Sequence, residues 1–234
     1  MSIEREVLIS VLKLAVEGPV SYELINKDAN VPSATVQKLL RRLQDEGLLY
    51  VRGWFVDVDS AQRLRLAIRA IQLGADMERV SRHLRWNEFE NFAAISLEQD
   101  SYAVTRNLRF KNSGRRWEID VVGSKRSLMV CIDCKHWSRG LSETPLRKIV
   151  DEQVERTSAL ARTLPLLVEK LKSANWNEVK LVPVVLTMAT AGLKFHENVP
   201  IVPVLQFQNF LTQLPAHVDS LLSIQTSTKF NAAT

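Results

Sequence analysis

Three residues have the types and spacing for chemistry at phosphorus: Asp120, Asp133 and Lys135. Asp133 and Lys135 follow an apolar run, Leu128-Met129-Val130-Cys131-Ile132, with strand character, and side chains two apart on a strand share a face. Asp120 lies in an earlier β-rich run, Trp117 to Val122. The Gly123-Ser124-Lys125-Arg126-Ser127 stretch between them reads as a hairpin turn that brings Asp120 toward the same face, with the register open. Two carboxylates are ordinary ligands of a hard divalent cation such as magnesium, which keeps part of its water shell and takes a phosphate oxygen. Such an ion polarises the phosphate and acidifies a bound water. A nearby lysine can orient that water or stabilise charge developing on phosphorus. Plainer readings exist: Asp133 and Lys135 as an exposed ion pair of little energetic value, and Asp120 as an edge-strand charge that discourages aggregation.

The elements around these residues can be read in order. Asn87 to Glu98 has helical periodicity, with Phe89, Phe92, Ala93 and Leu97 as its core stripe. Asn87 with Glu90 three residues on is a capping-box-like arrangement. Tyr102 to Phe110 reads as a strand, and a basic turn follows it. Arg106, Arg109, Lys111, Arg115 and Arg116 cluster ahead of the hairpin, where they would track a phosphate backbone or form a solvated turn. Thr144-Pro145 opens a helix that reaches about Leu164, and a further segment reaches Ala174. Val179 to Met188 and Val199 to Val204 are apolar strands, and Gln206 to Leu214 is a helix. This alternation implies parallel additions to the sheet.

An acid, a hairpin and Asp-x-Lys ending a hydrophobic strand, behind a helix that carries Glu, resembles the PD-(D/E)xK nucleases, the restriction endonuclease-like superfamily. Within it, residues 86 to 214 look most like the Mrr-type and archaeal Holliday-junction-resolvase-like branches. The resemblance implies an α/β fold, a mixed sheet flanked by helices. It also implies magnesium-dependent hydrolysis of DNA phosphodiesters by a metal-activated water, with Mn²⁺ able to substitute and a 5′-phosphate as the common product. Asp120 and Asp133 would bind the metal, Glu90 (with Glu88 as the other candidate) would complete the site, and Lys135 would assist the nucleophile. Related nucleases often place a lysine or glutamine of the following helix in the site. Lys148 and Gln153 are the candidates, with Gln153 preferred. His136 reads as a structural or substrate-edge residue, and Trp137 as a core or loop anchor.

Upstream, Val7, Leu8, Val11 and Leu12 have helical spacing, Gly18-Pro19 breaks it, and Ser21 to Asn26 reads as a second helix. Ala34 to Glu46 reads as a third, with Ser33 as N-cap and Gly47 as stop. Leu48 to Val58 forms a small hairpin around Arg52-Gly53. Three helices and a hairpin in this span resemble a winged helix-turn-helix, whose recognition helix would present Gln37, Lys38, Arg41 and Arg42 to DNA or serve protein contact instead. The expected organisation is a winged-helix domain over 1–59, a helical connector over 60–85 that includes a helix capped by Asp76, the nuclease-like domain over 86–225, and a flexible polar tail over 226–234.

Composition fits this organisation. Of the 234 residues, 46% are hydrophobic and 24% charged, which is ordinary for a globular protein. Net charge is +5, unevenly placed: residues 1–60 carry seven Lys/Arg against nine Asp/Glu, while the remainder has a net of +7. Cys131 and Cys134 have Cys-x-x-Cys spacing, but no second pair completes a zinc site, and an offset of three in a strand puts them on opposite faces. They read as small apolar strand residues. No apolar run is long enough to span a membrane and no leader pattern opens the chain, so a cytoplasmic protein is expected. The partners implied are DNA, a second copy of the chain, and a helicase or repair protein. The competing reading is a DNA-binding winged-helix regulator that keeps a catalytically inactive nuclease fold. An RNA substrate has no recognisable module to support it.

Overall fold

The computed structural model describes residues 2–76, 79–80, 82–135, 143–171, 176–188 and 192–229. The chain forms two compact units, Met1–Phe92 and Ala93–Thr234. No described helix is long and apolar enough to cross a membrane.

The first unit opens with α1 (Ile3–Leu14), capped by Ser2 Oγ and burying Val7, Leu8, Val11 and Leu12 on one stripe. A two-residue strand, β1 (Val20–Ser21), precedes α2 (Tyr22–Ala29), which ends on left-handed Asn30. Next, α3 (Ser33–Asp45) buries Val36, Leu40 and Leu43. Ser33 is not its cap: the Pro32 carbonyl accepts from Thr35 N and Val36 N, so the helix starts one residue earlier than expected. β2 (Tyr50–Arg52) and β3 (Phe55–Asp57) turn at Gly53, whose φ is +61°, and the antiparallel sheet order is β1-β3-β2. Asp59 and Gln62 form a capping box for α4 (Ser60–Gln72), which packs on α1 within this same unit. Asp76 Oδ1 accepts from Arg79 N at 2.8 Å, as a cap should. The next helix, α5 (Trp86–Gln99), begins in the first unit and continues in the second.

The second unit is a mixed sheet flanked by helices, the fold class expected. Its strands are β4 (Ala103–Asn112), β5 (Arg115–Lys125), β6 (Leu128–Lys135), β7 (Glu178–Thr187), β8 (Phe195–His196), β9 (Val199–Pro203) and β10 (Ile224–Ser227), and its main path runs β4-β5-β6-β7-β9-β8. β4, β5 and β6 form an antiparallel meander; β6, β7 and β9 are parallel. The crossover from β6 to β7 uses α6 (Glu143–Thr163), and α7 (Phe207–His217) follows β9. The inner stripe of α6 is long enough to serve two cores. Ala159 and Leu160 pack with Leu108, Ile119, Val122, Met129 and Cys131, while Leu146, Ile149 and Val150 pack with Val185, Val199 and Ile201.

Two sequence expectations change here. Gly123 belongs to β5 and not to the turn. The β5–β6 loop is the two residues Arg126-Ser127, both at positive φ (48° and 63°), between the paired Lys125 and Leu128. Gly123 is needed for a different reason: a Cβ there would lie 2.7 Å from Leu97 Cδ2, so the missing side chain lets α5 approach β5. The polar segment from Thr226 is also not all tail. Thr226 and Ser227 pair with Val179 and Glu178, because β9 occupies one half of the outer edge of β7 and leaves the other half for β10. Residues 230–234 lie outside the described residues.

The Gly123 contact gives a test. Gly123→Ala is expected to cost about 1–3 kcal/mol through overpacking, read as a lower urea midpoint, and Leu97→Ala in the same chain is expected to recover part of the loss. A midpoint unchanged by Gly123→Ala would mean that α5 does not sit this close.

Candidate active site

The site is built where β6 runs out of apolar residues. Strand alternation turns Asp133 and Lys135 to the α6 face, the face that also takes Met129 and Cys131. The Asp133 side chain is 2% exposed and that of Lys135 is 17% exposed, so the two are not the exposed ion pair of the plainer reading. Lys135 Nζ donates to Asp133 Oδ1 at 3.0 Å and stands 2.9 Å from Oδ2. Arg156 of α6 donates through Nη1 to the same Oδ1, and its Nη2 reaches Glu152 at 3.4 Å. One buried carboxylate therefore carries two cations. Oδ2 accepts no hydrogen bond among the described residues.

Asp120 reaches this place through a fault in the sheet. The β5–β6 pairing runs to Val121 and Ile132, and Asp120 Oδ2 then accepts from the backbone N–H of Cys134 at 2.7 Å, taking the place of a main-chain carbonyl. The pleat of β5 is interrupted at this point: Ile119 and Val122, three apart, enter one core, and the facing strand β4 puts Asn107 at φ +48°. Such irregularities re-aim individual side chains. The acid of β5 is thus fastened to the residue next to Asp133.

Gln153 is wholly buried on α6. Its Nε2 donates to the carbonyl of Cys131 at 2.7 Å, while its Oε1 has no hydrogen-bond partner among the described residues. It ties α6 to β6 two residues before Asp133. Lys148, the alternative, is exposed. Arg156 was missed by the sequence reading, although it stands three residues after Gln153, the spacing that keeps two helical side chains on one face. His136 and Trp137 lie outside the described residues, as does Ala174.

The two candidate glutamates of α5 separate cleanly. Glu88 is buried and engaged within the first unit. It accepts from Arg63 Nε through one oxygen and from the backbone N–H of Arg85 (2.7 Å) through the other, capping α5 in place of the Asn87–Glu90 pair. Arg63, itself 3% exposed, also donates to the carbonyls of Leu12, Ala15 and His83. That network engages both carboxylate oxygens of Glu88. Glu90 is half-buried on the first-unit part of α5. Among the described residues, no group of three or more His, Cys, Asp or Glu side chains is gathered tightly enough to enclose a metal.

Cys131 and Cys134 are buried free thiols. Burial pushes the Cys131 thiol up to about 12, against a smaller opposing effect of a hydrogen bond with Thr157, so it is a protonated thiol at neutral pH.

The basic residues differ in what already holds them. Lys38 and Arg41 are exposed on α3, whereas Arg42 is bound by Glu4 and lies 3.6 Å from Glu46. In the second unit, Arg106 is 3.5 Å from Glu98, Arg109 is hydrogen-bonded to Glu118 by both Nε and Nη2, and Arg115 lies 3.8 Å over the Trp117 ring. Lys111 and Arg116 face each other across the β4–β5 ladder, beside a groove of about 540 Å³ lined also by Arg109, Phe110, Trp117 and Glu118. Two like charges directly opposite favour an anion between them.

Parts of the chain are similar to known proteins. Residues 85–185 match the family model of the nuclease-related domain (NERD). An uncharacterized protein of Archaeoglobus fulgidus is 28% identical over 135 residues, which cover 56% of this chain and 92% of that protein. Among solved structures, protein VC1899 from Vibrio cholerae aligns with 93% of this chain at 12% identity and a TM-score of 0.39, and this chain spans about half (52%) of it. The small subunit of the heterodimeric restriction endonuclease R.BspD6I aligns with 58% of this chain, covering 71% of its own length at 16% identity and a TM-score of 0.28. Restriction endonuclease FokI aligns with 92% of this chain at 12% identity and a TM-score of 0.28, and 44% of its length is spanned.

The separation of the two glutamates is testable. Glu88→Ala strands the Arg63 guanidinium in the interior and is expected to cost about 3–5 kcal/mol of unfolding free energy. A urea midpoint equal to that of the parent would remove the structural role given to Glu88.

Proposed function

We propose that the protein is a metal-dependent DNA endonuclease that hydrolyses phosphodiester bonds. The observation that carries this reading is the placement of Lys135 against a buried Asp133, beside a second carboxylate, Asp120, within the nuclease-related span.

The donor set suits a hard divalent ion. It consists of carboxylate oxygens, and Asp133 Oδ2 is buried without a hydrogen bond among the described residues. Mg²⁺ characteristically takes one or two carboxylates and fills its remaining positions with water and substrate phosphate, so a three-acid enclosure is not required. Asp120 and Asp133 would hold the ion, with Mn²⁺ as a substitute. The bound ion would supply charge neutralisation at the phosphate and a water acidified toward neutral pH. Lys135, held at 2.9–3.0 Å from Asp133, would orient an attacking water and stabilise the negative charge on phosphorus while the P–O bond to the leaving strand breaks. Gln153 acts at one remove, holding α6 against the catalytic strand. Lys111 and Arg116 supply charge for the DNA backbone along β4 and β5, with Arg106, Arg109 and Arg115 drawn from their acidic and aromatic partners as DNA arrives. In the first unit, the α1 to β3 arrangement supports the winged-helix reading, with Lys38 and Arg41 on the helix that would contact DNA and Arg42 stabilising the unit. DNA repair, recombination or restriction is the setting, with a second copy of the chain and a helicase or repair protein as partners.

A second reading is favoured by one feature. Asp133 already has two cationic partners, an arrangement that a DNA-binding regulator with an inactive nuclease fold would also retain. The two readings differ in their need for metal. The purified protein is expected to cut plasmid, branched or single-stranded DNA with Mg²⁺ or Mn²⁺ and to stop on chelation. Asp133→Asn is expected to lower the rate by on the order of 10²-fold or more, with salt-dependent DNA binding retained. Absence of cleavage on every substrate, or an Asp133→Asn protein as active as the parent, would leave the regulator reading in its place.

A further inference from the structure

The second cation on Asp133 comes from a helix 23 residues away, and its position is built. Gln153, fully buried and bonded to the Cys131 carbonyl, fixes how α6 lies over β6, and the next turn of α6 then sets Arg156 on Asp133. Asp133 Oδ1 accepts from both Lys135 and Arg156, and its Oδ2 accepts from neither. The Arg156 side chain is 24% exposed and is flanked on its outer side by Glu152, itself 44% exposed, so the guanidinium stands between a buried acid and the solvent boundary. A guanidinium does not lose its proton in a protein. A divalent ion on Asp133 Oδ2 would therefore add two positive charges to the two that Lys135 and Arg156 already bring to this carboxylate, and the mutual repulsion weakens the hold on Arg156. The chemistry that resolves this conflict is an anion with two oxygens in a plane, to which a guanidinium fork binds in preference to a single carboxylate oxygen.

We propose that Arg156 is a catalytic residue with two positions. Without metal it neutralises Asp133; with metal and DNA it turns to the phosphate that is to be cleaved. This rests on the reading of Asp133 as a metal ligand. It makes Arg156 a competitor of the metal in the free protein and a clamp on the substrate in the complex. Metal and DNA then favour each other's binding, since metal on Asp133 frees Arg156 for the phosphate and the phosphate draws Arg156 off Asp133, and the coupling is reciprocal.

The test is a calorimetric Mn²⁺ titration of the full chain, with and without a phosphorothioate duplex, on the parent, Arg156→Gln and Arg156→Lys. Arg156→Gln is expected to bind Mn²⁺ on the order of tenfold tighter than the parent in the absence of DNA, to lose the extra gain that DNA gives the parent, and to cleave at least tenfold more slowly. A residue that only supported the fold would weaken metal binding and cleavage together. Arg156→Lys, which keeps the charge and loses the fork, is expected to bind Mn²⁺ as the parent does and still cleave about tenfold more slowly; it carries the test if Arg156→Gln does not fold. Parent-like or weaker Mn²⁺ affinity in Arg156→Gln, or parent-like cleavage by Arg156→Lys, overturns the proposal. If the parent itself binds Mn²⁺ no better than Asp133→Asn, the metal site falls first, and that result is read without any Arg156 variant.

Discussion

A carboxylate that is 2% exposed at the end of an apolar strand must be compensated, because desolvating a charge without a partner costs several kcal/mol. Much of the second unit follows from that constraint at Asp133. Lys135 can reach it because β6 continues two residues beyond it in regular alternation. Arg156 can reach it because α6 lies directly above β6, pinned by Gln153 to a strand carbonyl. The apolar stripe of α6 carries the helix over both cores and sets its height, so the same packing that stabilises the unit also aims a cation at the acid. Asp133 thus holds two cations at one carboxylate, a tension that a metal would sharpen.

The second constraint is in the backbone. A regular β5–β6 ladder would close with main-chain hydrogen bonds, and no side chain would be drawn into it. Here the pleat of β5 slips between Ile119 and Val122, opposite a left-handed Asn107, and the carboxylate of Asp120 takes up the Cys134 N–H. An acid that makes this bond is held by the sheet itself, and not by a loop. On the other face, Gly123 gives α5 a close seat against the same strand. The site therefore stands on regular elements locked by packing, the condition under which small displacements are resisted.

What could be read from the sequence was what depends on local periodicity. The shared face of Asp133 and Lys135 follows from alternation alone, and the α6 stripe and the parallel addition of β7 and β9 follow from spacing and order. What was hidden depends on contacts between distant residues. Arg156 could be matched to Asp133 only once the rotation of α6 was known. Glu90 was preferred to Glu88 on its place in the motif, whereas the contact that occupies Glu88 comes from Arg63, 25 residues before it. Gly123 was misread because glycine signals turns more often than close helix–strand contact, while the true turn, Arg126-Ser127, adopts left-handed backbone without glycine. Thr226 and Ser227 looked like a tail because nothing in their composition records that half an edge of β7 is open to them.

The most direct measurement of the central claim is anomalous diffraction at the manganese edge from a crystal soaked in Mn²⁺. A peak bonded to carboxylate oxygens of both Asp120 and Asp133, at about 2.0–2.2 Å as for a hard octahedral ion, is the predicted result. A structure with no peak there, in which Lys135 and Arg156 still share Asp133, would contradict it.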